Sequence, residues 1–211
     1  MSGLAELDIK ERLSGSDAQA LFTLAKGVRR QGMVAINVGT FKGHSASILA
    51  SVVRDEAGIC FCIDNWKGAE GTLNEGEYKA QNIHKIFRTN MEALGLLETV
   101  ADMTSDSARA ASYFQDGIAD IVFIDADHKY QGIKADIQVW LPKVKKGGIL
   151  CGHDCQARYA NLGTGLKRLV DANLSEEFVA MMHVGVIKAL SELLPEHKIM
   201  PTSTVWYWAK Q

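Results

Sequence analysis

The chain has 211 residues, with 23 basic and 25 acidic side chains, a net charge of −2 and a hydrophobic fraction of 47%. That length suits one domain able to bury its own core, and the near-balance of charge offers no basic field for nucleic acid. The opening MSGLAELDIKERL lacks an apolar signal core and no stretch is long enough to cross a bilayer, so a cytoplasmic protein without a membrane partner is expected.

In chain order, residues 2–13 read as a short helix, and Ser16-Asp17-Ala18-Gln19 reads as a capping box ahead of a second helix carrying Leu21, Leu24 and Val28. Residues 1–30 thus form an N-terminal helical segment beside the core, and a surface through which copies of the chain could pair as a homo-oligomer. The run 33–38 (MVAINV) is a first buried strand, entering Gly39-Thr40-Phe41-Lys42-Gly43-His44-Ser45 and a helix over 46–53. Gly39 permits a tight bend and Gly43 a close backbone approach, while the helix start presents unpaired N–H groups. No Gly-Lys-Ser/Thr closes the loop, and G-x-x-x-G stands where a dinucleotide fingerprint has G-x-G-x-x-G. Read alone, the segment is a ligand-binding turn or a plain strand-to-helix turn.

A second strand over 59–63 ends at Asp64, about twenty-five residues beyond Gly39 and near the roughly 20-residue spacing at which a carboxylate meets a ribose hydroxyl pair. Trp66 follows, placed either to stack on a purine or to pack. Residues 65–77 form a polar loop with three glycines, of the length that lids and substrate contacts use. A long helix is expected over 78–97 and a weak third strand over 98–101. Ser105-Asp106-Ser107 then caps a helix bearing Ala110, Ala111 and Phe114.

The central segment is 119–155. Ile121-Val122-Phe123-Ile124 suits a strand buried on both faces and breaks into Asp125-Ala126-Asp127-His128. Tyr130, Ile133, Ile137 and Trp140 follow at helical spacing, with Tyr130 facing the core and Asp127 as the cap. Pro142 and Gly147-Gly148 stop this helix, and a strand over 149–151 ends in Gly152-His153-Asp154. In an open α/β sheet ligands bind beyond the carboxyl ends of strands, so both polar clusters lie where chemistry is expected. A helix over 163–174, a strand over 178–182, a helix over 184–194 and a final strand over 204–208 complete a single domain of alternating β and α. Cys60, Cys62, Cys151 and Cys155 read as buried free thiols, because His153-Asp154 between the last two lacks the second close pair a zinc site needs. His44, His84, His183 and His197 show no partner pattern and are read as surface or packing residues.

With INVGTFKGHS, CIDNWKG and FIDADHKYQGIKADIQVWLPKVKKGGILCGHD on the page, the chain resembles the class I S-adenosylmethionine-dependent methyltransferases. Within them it is most similar to bacterial small-molecule O-methyltransferases of the macrolide-sugar and catechol type. The resemblance implies a Rossmann-like α/β fold: a seven-stranded methyltransferase sheet with helices on both faces and an antiparallel last strand. It implies S-adenosyl-L-methionine as cofactor, a divalent metal (Mg or Mn), and a small-molecule acceptor with a hydroxyl group. Position by position, it assigns the methionine portion of the cofactor to Asn37, Gly39, Thr40, Phe41, Gly43 and Ser45. The ribose falls to Asp64, with Ser107 near the adenine. Asp125 borders the cofactor and, with Asp154, holds the metal, while His128 is the catalytic base.

Two positions depart from that pattern. Asn37 replaces an acid that meets the cofactor's ammonium group, and an amide oxygen accepts that hydrogen bond without supplying charge. His153 stands in the metal pair after the strand over 149–151, and imidazole is a poor ligand for magnesium. These departures keep a second function class in view, a nucleoside-binding regulatory or assembly protein without catalysis. Asp64, Asp125, His128 and Asp154 together speak for the enzyme.

Overall fold

The computed structural model describes residue 9 and residues 13–68 and 75–211; most of the helix expected over 2–13 and the middle of the 65–77 loop lie outside the described residues. Seven strands form one sheet: β1 (Val34–Val38), β2 (Ile59–Asp64), β3 (Val100–Thr104), β4 (Ala119–Ile124), β5 (Val144–Gly152), β6 (Lys198–Ile199) and β7 (Trp206–Ala209). Their order is β3-β2-β1-β4-β5-β7-β6. The first five run parallel, β7 lies antiparallel to β5, and β6 lies antiparallel to β7. The expected Rossmann-like sheet with an antiparallel last strand is the one observed.

Helices α1 (Gly15–Gly27), α2 (His44–Asp55), α3 (Glu75–Ala80), α4 (Ile83–Ala93), α5 (Ser107–Ala111), α6 (Tyr130–Trp140), α7 (Thr164–Ala172) and α8 (Val184–Leu193) connect and flank it. Every residue of β4 is buried, as a central parallel strand requires. Successive side chains point to opposite faces: Val122 and Ile124 join the core layer containing Ile137, Trp140 and Ile187, whereas Ile121 and Phe123 join the layer containing Leu21, Leu49 and Phe87. The sheet is therefore covered on both sides, by α6 and α8 on one and by α1, α2 and α4 on the other. All four cysteines are buried free thiols. Among the described residues no helix is long and apolar enough to cross a membrane.

The structure corrects several local expectations. The box that starts α1 is Ser14 with Asp17, not Ser16-Asp17-Ala18-Gln19; the side chain of Ser14 accepts from Asp17 N, and Asp17 accepts from the Ser14 backbone. The single helix expected over 78–97 is two, because Asn82 leaves helical geometry and its Oδ1 accepts from Lys85 N at 3.0 Å as the cap of α4. Gly147 and Gly148 lie inside β5, at a register shift against β4, where Gly147 has φ +80°. The segment 178–182 pairs only as Val179 with Met182 around a turn whose Ala180 and Met181 both have positive φ, so the seventh strand is β6 instead. Asp127 accepts from Lys129 N at 2.9 Å but does not cap α6, whose capping position is Lys129.

Strand order reverses between β1 and β4, and there two segments of the chain approach closely. Asp125 N donates to Val38 O at 2.8 Å. A Cβ on Gly39 would stand 2.1 Å from the Asp125 carbonyl oxygen, and Gly39 has φ +82°, so only glycine fits. This reversal is where an open α/β sheet forms its crevice.

Candidate active site

A cavity of about 560 Å³ runs along the carboxyl edge of the sheet. Its wall follows strand order: Ser105–Ser107 after β3, Asp64 at the end of β2, Val38 and Gly39 at β1, Asp125–His128 after β4, and His153-Asp154 after β5.

At the β2 end, Asp64 Oδ2 accepts from Phe41 N at 2.8 Å and from the Tyr78 hydroxyl at 3.0 Å, while Oδ1 accepts from Trp66 N at 2.8 Å. These bonds hold Phe41, with φ 49°, and Trp66, with φ 57°, in left-handed backbone conformations. Burial pushes the Asp64 carboxyl above its ordinary pKa, against those three donors. At the β3 end, Ser107 Oγ accepts from Trp140 Nε1 at 2.9 Å. Beside it Asp136 of α6 lines the cavity, its pKa pushed up to about 6 by burial, against the Ser107 hydrogen bond and with the Asp127 charge adding.

The other end is dense with ionisable groups. His128 Nε2 lies 3.2 Å from Asp125 Oδ1 and 3.0 Å from Asp154 Oδ2, and its Nδ1 faces Glu177 Oε1 at 3.5 Å. His153 Nδ1 lies 3.3 Å from Asp154 Oδ2 and 3.9 Å from Asp125 Oδ1, and its Nε2 faces Asp17 Oδ2 of α1 at 3.3 Å. His183 Nδ1 stands 3.3 Å from Asp154 Oδ1 and accepts from Gln156 Nε2 at 2.9 Å; that amide is oriented by its other end, which accepts from His183 N. Burial opposes charge on both His128 and His153, but the surrounding carboxylates outweigh it. His128 is held well above the ordinary histidine pKa, and His153 is held at about 10 by Asp154 and Asp17. Burial also opposes charge on Asp154, yet the two imidazoles keep its carboxyl well below the ordinary range. His183 is lowered by burial, with the neighbouring His128 adding, so it stays neutral. Asp125 and Asp154 offer oxygen to a divalent cation, but two imidazole nitrogens face the same gap. That mixed set does not fit the near-ideal oxygen octahedron magnesium demands.

The residues singled out from sequence divide into two groups. Gly39, Phe41, Asp64, Ser107, Asp125, His128 and Asp154 line the cavity. Asn37, Thr40, Gly43, Ser45 and Trp66 do not. Asn37 is fully buried beneath the β1 wall, where its Nδ2 donates to Ser45 Oγ at 2.8 Å and its Oδ1 has no hydrogen-bond partner among the described residues. Thr40 Oγ1 bonds the carbonyls of Asn37 and Ile63 and so pins the loop to the sheet. Gly43 is required by packing and not by ligand approach: a Cβ there would stand 2.8 Å from Met91 Cε and 2.9 Å from Phe87. The Trp66 indole is stacked on His84 with centroids 4.6 Å apart and leans on Phe87 at 5.2 Å, a packing role. His183, read as a surface or packing residue, is instead a wall of the cavity. Tyr78, Asp136, Glu177 and Asp17 were not foreseen. The one usable signal was Asp136, a carboxylate among the apolar positions of a buried helix.

The curated relatives are distant. An uncharacterized protein of Sinorhizobium fredii is 25% identical over 130 residues, 61% of this chain and 14% of its own length. An uncharacterized protein of Acanthamoeba polyphaga mimivirus is 28% identical over 155 residues, covering 70% of this chain and 65% of the relative. The chain thus spans less than two thirds of either. Solved structures share the fold at low identity. A SAM-dependent O-methyltransferase from Thermotoga maritima superposes with a TM-score of 0.59 at 16% identity, covering 95% of this chain and 67% of that one. The O-methyltransferase from Bacillus cereus in complex with SAH gives 0.59 at 17%, covering 99% and 84%. An SAH-bound methyltransferase from Podospora anserina gives 0.62 at 13%, covering 92% and 76%. Residues 36–155, more than half of the chain, match the family described as "Methyltransferase domain", and the chain belongs to that family.

Proposed function

We propose that this domain uses S-adenosylmethionine to methylate an oxygen of a small hydroxylated metabolite. The observation that carries the reading is the order of groups along one cavity, from a carboxylate at the end of β2, past the loop after β1, to the Asp125–His128–Asp154 cluster after β4 and β5. A carboxylate at the β2 end suits the ribose hydroxyl pair, which leaves the β4–β5 end for the acceptor. Neighbours of the same fold hold SAH, which supports the same class of cofactor here.

When bound, the cofactor supplies a methyl carbon activated by a sulfonium. What remains for the chain is to align an acceptor oxygen with that carbon and to manage the proton the oxygen gives up. A divalent ion between Asp125 and Asp154 would acidify the acceptor hydroxyl. His128, the base expected from sequence, is held protonated by Asp125, Asp154 and Glu177, so in the metal-free protein its Nε2 hydrogen-bonds Asp125 and Asp154 and holds their carboxylates in place. A cation at Asp125 and Asp154 that left His128 unligated would lower its pKa and free it to take the acceptor's proton.

Calorimetric titration with S-adenosylmethionine and with NAD tests the cofactor. Incubation with methyl-labelled cofactor and a panel of catechols and sugars then tests transfer. The reading expects binding of S-adenosylmethionine alone, with label on an acceptor oxygen. Preference for NAD sinks the cofactor assignment, and tight cofactor binding with no labelled product from any hydroxylated acceptor supports the non-catalytic alternative.

A further inference from the structure

The end of the cavity after β4 and β5 carries more nitrogen than a magnesium-dependent transferase needs. Two imidazole nitrogens approach the same two carboxylate oxygens: His128 Nε2 lies 3.2 Å from Asp125 Oδ1 and 3.0 Å from Asp154 Oδ2, and His153 Nδ1 lies 3.9 Å and 3.3 Å from them. Donors bound at about 2.0–2.2 Å to one ion lie roughly 3.0 Å apart at octahedral edges and about 3.4 Å apart at tetrahedral ones. Asp125, His153 and Asp154 each place one ligand atom within 4.8 Å of the others, and so do His128, Asp154 and His183, the two groups sharing Asp154. The outward nitrogens are also backed by acids: His153 Nε2 faces Asp17 Oδ2 at 3.3 Å, and His128 Nδ1 faces Glu177 Oε1 at 3.5 Å. A carboxylate behind the far nitrogen is how proteins orient a metal-binding imidazole. His183 has no such freedom at Nδ1, which is already occupied by the Gln156 amide.

We propose that His128 and His153 join Asp125 and Asp154 as ligands of a divalent transition-metal ion, which this site selects over magnesium. Imidazole suits iron, nickel, copper and zinc, and affinity for such a mixed set rises from manganese through iron and cobalt to nickel and copper, whereas magnesium keeps oxygen and water. In this arrangement His128 Nε2 is a ligand, so the base role expected of it falls away. Asp17, 136 residues earlier in the chain than His153 but adjacent to it in space, acts as a positioning residue through His153. The inference deepens the reading of the same cavity as a transferase site, but it is tested without cofactor or acceptor, so the two fail separately.

The test uses untagged, chelator-treated protein titrated calorimetrically with Co²⁺, Zn²⁺, Mn²⁺ and Mg²⁺, with the visible absorption of the Co²⁺ form recorded alongside. Cobalt is expected to bind at least about a hundredfold tighter than magnesium, in a one-to-one complex whose spectrum carries nitrogen-ligand bands. His153→Ala and His128→Ala should each weaken cobalt binding sharply without weakening magnesium binding. Asp17→Asn should weaken cobalt about 10–100-fold, the cost of losing an outer partner. Equal affinity for magnesium and cobalt, or a cobalt spectrum of an all-oxygen site, overturns the proposal in the unmutated protein, whether or not the variants fold. Cobalt affinity unchanged in both folded histidine variants overturns it equally.

Discussion

Replacing Asp64 by asparagine tests whether the carboxylate that organises the β2 end also recognises the cofactor. Three donors from the chain converge on it: Phe41 N and the Tyr78 hydroxyl on Oδ2, and Trp66 N on Oδ1. An ionised carboxylate has about four acceptor positions, so roughly one is left for a ribose hydroxyl. Asparagine keeps one oxygen and turns an amide NH₂ toward the donors of the other. Whichever way it sits, a backbone N–H loses its acceptor, at about 1–3 kcal/mol of stability. The ribose meanwhile loses a charged acceptor worth about 1.5–3 kcal/mol, or roughly 10–150-fold in the dissociation constant. Calorimetric titration with S-adenosylmethionine reads the second effect, and denaturant unfolding of the same preparation reads the first. Because burial already lifts the Asp64 carboxyl above its ordinary pKa, protonation should imitate the substitution. Cofactor affinity should fall as pH drops into the mildly acidic range, sooner than an exposed aspartate would allow. A folded Asp64→Asn protein that binds cofactor as tightly as the parent, with the same pH dependence, refutes the assignment.

Gly39→Ala should cost at least about 3 kcal/mol or prevent folding, since the new Cβ meets the Asp125 carbonyl at a positive φ; an unchanged melting temperature contradicts that packing. Asp136, with a folded pKa of about 6 against roughly 3.9 when unfolded, loses stability as pH rises through that window, by up to about 3 kcal/mol. Asp136→Asn lacks the penalty, so its advantage over the parent in denaturant unfolding should grow between mildly acidic and neutral pH; a pH-independent difference rules this out. Asp17 joins the start of α1 to Ser203 and Thr204 ahead of β7, and its carboxyl is held well below the ordinary range by His153, Ser14 and Thr204 against the opposing effect of burial. Its contribution is therefore present above the unfolded aspartate pKa and lost as pH falls, and Asp17→Ala should lower stability at neutral pH by about 2–4 kcal/mol. Parent-like unfolding of that variant would show α1 docked by its apolar face alone.

The strands of the central sheet and the acids at their ends were legible because they depend on local pattern. Ile121–Ile124 is continuous and apolar because both of its faces are buried, and Asp64 and Asp125 follow their strands directly. The same locality explains the misreadings. Asn82 splits the helix expected over 78–97 through its own side chain, and β6, two residues long, carries too little pattern to be seen. Trp66 and Gly43 were assigned to the ligand, but Met91, Phe87 and His84 of α4 claim them for packing.

What the sequence by itself determined is the alternating α/β order, the sheet and the positions of Asp64, Asp125, His128 and Asp154 near strand ends. These follow from hydrophobic period and chain direction, which act over a few residues. Only the tertiary structure decided that Asp17 backs His153, that Glu177 backs His128, that His183 reaches Asp154, and that Tyr78 and Asp136 enter the cavity. Asp17, Tyr78 and Asp136 come from α1, α3 and α6, and Glu177 and His183 from the chain between α7 and α8. Their meeting, and the charge each holds there, depends on burial and field in the assembled site.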